Sequence, residues 1–555
     1  MVGALCALYN PVPLLIGVSP VFSLALPFAR DRAAHATALL GALPFVADDN
    51  DRADWHSQFL LLRFCSITRG RWLPRVMPAQ MIQEYIARVD GQHDRHIARI
   101  LLGSADSVMP DAADAQLQLP PRLSGLGLTS VSSRAAASAL ASWSATLRLV
   151  AAHVAGLPAL ADLGSRRGLR RIVNRDDDPL GLLAAYADAR DDYDWHASRV
   201  VPDRPGQPPR VNDDRDGDAG DAPARPDPEL PFHLPPSAWR CVSPSRNPVR
   251  ESDVLGLKHR RAFERLLGAG SGLSTPRDRT RVLSCSAPPG QSTLASAWIG
   301  LPARTLAASA PAFRFGSAPF RAALQIRLGL PVTAVAGRAR CRCGHLTDPH
   351  GHHALSCNHD GMTFRRHQAV LRALERLYAW TNVTTSRNLH NYFPHLHGGN
   401  PDLRVLRADL KAEAHPSPNE TTVVDVAVVH CTSDGRTRIG TAAGHLHSRV
   451  RVAAADAAAC GKRDRLDRHM AAAAPVGAPA GTRFLPLVFE VHGGCTGDTA
   501  REIRHLLNAW SEQNGYDETR CAVNRHAWRY YIACMLAHAV QAQVRWLAEP
   551  MAASG

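Results

Sequence analysis

From about Asp54 to Leu102, apolar positions recur every three to four residues, the period of a helix that buries one face. FLLLRFCSITRG and MIQEYIARVDGQHDRHIARILLG read as two amphipathic helices. LPPRLSGLGLTSV, residues 119–131, breaks that period with Gly125 and Gly127 and predicts a turn-rich loop. RAAASALASWSATLRLVAAHVAGL returns to helix, with Ala, Leu and Trp143 on its packing face. Helical spacing reappears in VLGLKHRRAFERLLGAG, after which SAWIGLPART and FRAALQIRLGLPV lead toward residue 340.

Beyond Phe364 two periods mix. RRHQAVLRALERLYAW predicts a basic amphipathic helix, and VRVAAADAAACGKRDRLDRHMAAAA predicts another. DLRVL, TTVVDVAVVH and RFLPLVFEVHGG are strand-like and bounded by Pro and Gly. RHAWRYYIACMLAHAVQAQVRWLAE closes the chain as a helix. Residues 198–237 differ in kind: rich in Pro, Gly and Asp and poor in apolar side chains, they cannot bury enough surface to offset chain entropy and predict a disordered linker. The expected fold class is multidomain, with a mostly α-helical N-terminal half, a metal knuckle and an α/β C-terminal domain. The expected divisions are 1–53 (apolar, unassigned), 54–197 (helical), 198–237 (linker), 238–340 (helical connector), 341–357 (knuckle) and 358–550 (α/β).

Composition sharpens this picture. The 555 residues carry 64 Lys and Arg against 50 Asp and Glu, a net charge of +14. Such a balance favours a polyanionic partner, nucleic acid (DNA or RNA) first and an anionic membrane second. Residues 1–29 lack charge, but Pro11, Pro13, Pro20 and Pro27 interrupt them and no basic segment precedes them, so a membrane span is not expected. Of 12 cysteines only Cys341, Cys343 and Cys357 cluster, which reads as a reducing compartment with one metal site.

That cluster, CRCGHLTDPHGHHALSC, also holds His345, His350, His352 and His353. Thiolate and imidazole suit zinc, and a zinc-held loop needs almost no apolar core. Cys341, Cys343, His353 and Cys357 form the best tetrad, because His353 and Cys357 are four apart and can share one face of a helical turn. Which histidine binds stays open at this level.

A second constellation follows. Asp402 stands in Asn-Pro-Asp after a Gly-Gly turn, and Asp425 sits among valines in TTVVDVAVVH. A carboxylate amid β-branched residues is costly to bury without a cation or donor. Two such acids on adjacent antiparallel strands could share Mg²⁺ or Mn²⁺ with a strand carbonyl such as that of Val426. A lysine usually completes such a centre, yet the position two after Asp425 is Ala427, which leaves Lys462, in ACGKRDRLDRHM, as the substitute.

In this order, CRCG…DPHGHHALSC, RRHQAVLRAL, NPD, VVDVAVVH and RFLPLVFEVHGG resemble the C-terminal half of non-LTR retrotransposon reverse-transcriptase polyproteins. There a CCHC knuckle precedes a restriction-like endonuclease of the PD-(D/E)XK type. LLLRFCSITRGRWLPRVMP, LPPRLSGLGLTSVSSRAAASALASW and FRAALQIRLGLP resemble the region after the polymerase palm, thumb-like in position. The resemblance covers most of residues 54–550. It implies Asp402 and Asp425 as catalytic acids, Lys462 among the helix's basic residues, the Cys341–Cys343–His353–Cys357 knuckle, and a nuclear location. Glu490, in the late strand, takes no assigned role. Where related endonucleases place a Glu before the PD strand this chain has SRNLHNY, with Asn388 near that place and Glu375 on the preceding helix as a replacement. FVADDND, with Asp48 and Asp49, echoes a polymerase hairpin, but no palm fits upstream of it, so the polymerase site is expected to be absent and any palm to come from a longer parent polyprotein.

Two functions are therefore expected. The first is a metal-dependent DNA endonuclease module that nicks target DNA. The alternative is a non-catalytic nucleic-acid-binding remnant of a reverse-transcriptase reading frame.

Overall fold

The computed structural model describes residues 54–67, 73–76, 82–135, 251–268, 275–286, 317–333, 340–341, 343–389, 408–431, 453–472 and 481–514, with scattered positions at 27–43, 137–142 and 273. The expected linker, the acidic stretch at Asp48 and Asp49, SAWIGLPART, the closing helix and Asp402 lie outside them.

Helices make up the first part: α1 (Trp55–Leu61), which runs into a π turn (Leu62–Ser66), α2 (Leu73–Val76), α3 (Gln83–Leu102), α4 (Asp111–Gln118), α5 (Glu251–Leu267), α6 (Pro276–Cys285) and α7 (Ser317–Leu328). There follow α8 (His352–Ser356), α9 (Met362–Trp380), β1 (Thr385–Leu389), β2 (Ala408–Glu413), β3 (Thr421–Val429), α10 (Ala453–Ala472), β4 (Thr482–Glu490) and α11 (Gly497–Gln513). Contacts divide the described residues into two compact units. One holds 57–109, 127–135 and 251–268; the other holds 54–56, 110–126 and everything described from 273 onward.

In the first unit α3 is the organising element. Its inward stripe of Tyr85, Val89, His93, Ile97, Ile100 and Leu101 is buried, and Gly103 ends it in the left-handed conformation that a residue without Cβ adopts at no steric cost. His93, buried, meets Ser66 Oγ at 2.9 Å, and burial lowers its pKa to about 4. Asp90 accepts from the backbone N–H groups of Val131 and Ser132 at 2.7 and 2.9 Å and so starts the helical residues at 131–135.

The second unit buries two arginines, Arg281 and Arg327, and Arg281 lies 3.9 Å from the Asp278 carboxylate. Arg327 donates to the carbonyls of Pro121 and Cys285 at 3.0 and 3.2 Å, and Arg281 donates to Gln116 Oε1 at 3.0 Å and to the Arg327 carbonyl. The turn-rich loop predicted at 119–131 is thus tied to α6 and α7 by a polar node. Gly125 is required there, since an added Cβ would lie 1.9 Å from the Leu119 carbonyl oxygen.

The same unit carries a small mixed sheet in the order β1-β2-β3-β4, antiparallel for the first two pairings and parallel for β3 with β4. A parallel pair needs a crossover, and α10 supplies it. Side chains alternate across the sheet. Leu410, Ala412, Val424, Val426, Leu485, Leu487 and Phe489 bury against Val370, Leu374, Leu377 and Tyr378 of α9 and Ile503, Leu506 and Leu507 of α11. Val429 and Val488 bury against Ala454, Ala455, Ala458 and Ala459 of α10, whose small side chains let that helix lie close. Strand β1 is polar (TSRNL) because it is an edge, and α11, capped by Thr496 accepting from Thr499 N, was not anticipated although its apolar stripe is regular. Pro486 in β4 fits the other edge, where a missing N–H breaks no ladder.

Candidate functional site

The knuckle is built by two tight local devices. A bridge between Arg340 and Leu346, with Cys341 N–H donating to the His345 carbonyl at 2.8 Å and Gly344 N–H to that of Cys341 at 2.9 Å, turns Cys341 and Cys343 inward. Asp348 then caps α8, accepting from the backbone N–H groups of His350, His352 and His353 at 3.1, 2.9 and 2.7 Å, and so aims His353 at the thiols. The donor atoms of Cys341, Cys343, His353 and Cys357 all lie within 4.8 Å of one another. Cys341 Sγ is 3.7 Å from Cys357 Sγ, close to the edge of about 3.8 Å that a tetrahedron with Zn–S bonds of about 2.3 Å requires. Cys343 Sγ is 3.1 Å from His353 Nε2. His345 Nδ1 also approaches Cys343 Sγ at 3.4 Å, but His353 completes the four-donor group. This Cys₃His cluster could hold a structural metal such as zinc.

The thiols respond unequally to this crowding. The His345 backbone N–H is the main influence holding Cys343 down at about 6, whereas burial pushes Cys357 up to about 12. Donors this close suit a cation between them. Buried Arg366 of α9 joins the knuckle to the sheet, donating to Leu355 O at 2.8 Å and Val428 O at 3.3 Å. Beside it, the imidazoles of His352, His430 and His492 follow one another at 6.0 and 6.1 Å, and burial keeps His430 and His492 well below the usual histidine range.

On the α10 side of the sheet stands a second group. Asp425 projects from the middle of β3, and the acid beside it is Asp409 of β2, which the sequence reading did not single out. Leu410 pairs with Val424, so Asp409 and Asp425 stand opposite each other one step further on. Asp409 Oδ2 accepts from Val426 N–H at 2.7 Å and meets His367 Nε2 at 3.1 Å. Lys462 completes the group. The alanine stripe 454/455/458/459 faces the sheet, and position 462 continues that stripe one turn on. Its Nζ lies 2.5 Å from Asp425 Oδ2 and 3.5 Å from Val426 O.

Like charges directly opposite on a sheet repel, and the two carboxyls divide the cost. Burial raises Asp425, with neighbouring Asp409 adding to the rise and Lys462 opposing it. Burial also pushes on Asp409, but the His367 bond and charge, Val426 N–H and Lys462 outweigh it and hold it below the usual carboxylate range.

The other acids have separate tasks. Glu490, fully buried at the end of β4, accepts from Ala455 N–H at 3.0 Å and so caps α10, the helix that carries Lys462. Burial raises it to about 7. Glu375 pairs with Arg387 of β1. Glu502 of α11 is held by His415 at 2.6 Å and Tyr378 Oη at 2.9 Å; burial opposes its ionisation, yet these partners bring it below its usual range.

No protein-family model matches this chain, and no curated protein matches it. No helix among the described residues is long and apolar enough to cross a membrane.

Proposed function

We propose that the C-terminal unit is a retroelement-derived, metal-dependent DNA endonuclease module that nicks its target, with a restriction-endonuclease-like fold. The observation that carries this reading is the meeting of Asp409, Asp425 and Lys462 on one face of the sheet. The element order helix, three strands, helix, strand from α9 to β4 supports it, as do the net charge of +14 and the adjoining Cys₃His cluster. Asp409 is the described acid beside Asp425; Asp402, the acid expected from the sequence, lies outside the described residues.

The residues fit a hard divalent cation, Mg²⁺ or Mn²⁺: two carboxylates on opposed strands and the Val426 carbonyl are all oxygen donors. Such an ion, when bound, polarises the scissile phosphate and acidifies a water. His367 and Val426 N–H fix Asp409 by the same oxygen, Oδ2, which sets the carboxylate plane. Lys462 neutralises part of the paired acids' charge and would be the group to donate to the charge developing on phosphate.

The test is nicking of supercoiled plasmid with Mg²⁺ or Mn²⁺. Asp409→Asn and Asp425→Asn are each expected to lower the rate about a hundredfold or more, with DNA binding retained. Wild-type nicking by the double variant would overturn the proposal. The direct Lys462–Asp425 ion pair favours a second reading, a non-catalytic nucleic-acid-binding remnant, because it satisfies Asp425 without a metal. That reading predicts salt-sensitive binding with no metal-dependent nicking.

A further inference from the structure

One aromatic ring beside the paired acids has no packing task. Among the described residues the exposed large hydrophobics are Val108, Leu346 and Phe364, and only Phe364, 63% exposed, is aromatic. It stands in the first turn of α9. Its ring stacks on the His367 imidazole, with centroids 6.4 Å apart and planes 20° apart. That imidazole is the one bonded to Asp409 Oδ2. A continuous line therefore runs from solvent through Phe364 and His367 to Asp409, Asp425 and Lys462.

The exposed surface of α9 around this line is cationic. Arg365, Arg372 and Arg376 are exposed, and spacings of seven and four place them on one stripe about 16 Å long. None is ion-paired to a described acid. An apolar protein partner would ask for a contiguous apolar patch. A lone ring, with a stripe of guanidinium groups about a quarter-turn round the same helix, instead matches a polymer that alternates flat apolar bases with phosphates.

We infer that Phe364 and His367 form a stacking platform for an unpaired nucleobase next to the scissile phosphate, with Arg365, Arg372 and Arg376 following the sugar–phosphate backbone along α9. The inference rests on the nucleic-acid reading of this site and names its substrate: single-stranded or locally opened nucleic acid. A duplex keeps its base faces stacked inside and offers this ring none.

The experiment compares binding of the full chain to a labelled single-stranded oligodeoxynucleotide and to the duplex of the same sequence, by anisotropy without added Mg²⁺ or Mn²⁺, so that cleavage does not enter. Phe364→Ala is expected to weaken single-strand binding about tenfold to a hundredfold and duplex binding much less. Phe364→Trp is expected to restore it, which separates stacking from misfolding. The triple Arg365→Ala, Arg372→Ala, Arg376→Ala variant is expected to reduce the salt slope for single strands by about 2. Equal losses on both substrates, or no loss on either, would overturn the inference. Its failure is distinct from that of the nuclease reading. Platform-dependent binding without nicking sinks only the nuclease, and nicking with Phe364→Ala indifferent to substrate form sinks only the platform.

Discussion

The Cys₃His knuckle and the paired-aspartate face solve the same electrostatic problem in different ways. Each brings acidic or ionisable ligands closer than like charges tolerate. In the knuckle all four donors come from 17 residues, are soft, and close on one another, so a single ion would satisfy the whole group. In the aspartate face the oxygen donors come from β2 and β3, are hard, and are already partly neutralised by Lys462 of α10 and His367 of α9. The first arrangement is suited to permanent structure. The second leaves its charges only partly balanced, as the proposed chemistry on a phosphate would require.

The sharpest way to break this contrast is to remove the metal. Chelation with 1,10-phenanthroline, or Cys357→Ala, is expected to abolish about one bound zinc per chain and to expose 340–361 to proteolysis, since zinc binding in small knuckles is worth roughly 10 kcal/mol or more. Asp425→Asn is expected to leave zinc content unchanged. Zinc loss in that variant, by elemental analysis, would show that the two sites are one.

A smaller effect concerns the buried acids Glu490 and Glu502, outside both sites. Glu490 rises on folding from 4.5 to about 7, so the folded chain holds a proton there that the unfolded chain releases. Stability is therefore highest below pH 4.5 for this group and falls as pH rises to about 7, by up to about 3 kcal/mol. Glu490→Gln is expected to recover most of that at pH 8 and nothing at pH 4 in urea titrations. A gain equal at both pH values would remove the protonation argument. Glu502 has the opposite sign: its partners lower it, so its contribution is present above the unfolded carboxyl range and lost as pH falls through its folded value.

Next comes the cation inside the aspartate face. Lys462→Met leaves Asp409 and Asp425 facing each other and is expected to cost about 1 to 3 kcal/mol, with most of it returned by adding Asp425→Asn. Simple additivity of the two changes in urea titrations would mean that the pair is not coupled. The smallest effect is expected at Glu375, whose bond to Arg387 is near the surface. Glu375→Gln should change stability by less than about 1 kcal/mol and leave nicking intact; loss of nicking would bring Glu375 into the catalytic group.

The two sites also differ in how far they could be read before folding. Cys341, Cys343, His353 and Cys357 were legible because their geometry is set by local turns, Gly344, Gly351 and the Asp348 cap, all within the same short segment. Asp425 was legible as a misfit, a carboxylate among valines, and Lys462 as the substitute for the lysine absent two positions after Asp425. Asp409 was not. RADLKAE has no Pro-Asp signal, while NPD at Asp402 has the stronger motif. Only the pairing of Leu410 with Val424 sets Asp409 opposite Asp425. Strand β1 was missed for a related reason: an edge strand needs no apolar face and so writes no period into the sequence.

The sequence by itself determined the helical stripes, the β-branched strands, the charge balance and the knuckle's donor set, because each depends on neighbours a few residues away. Tertiary structure alone decided that Asp409 stands opposite Asp425 and that Glu490 caps the helix bringing Lys462 forward. Those choices depend on strand register and helix docking, and both are fixed by burial summed over the whole sheet.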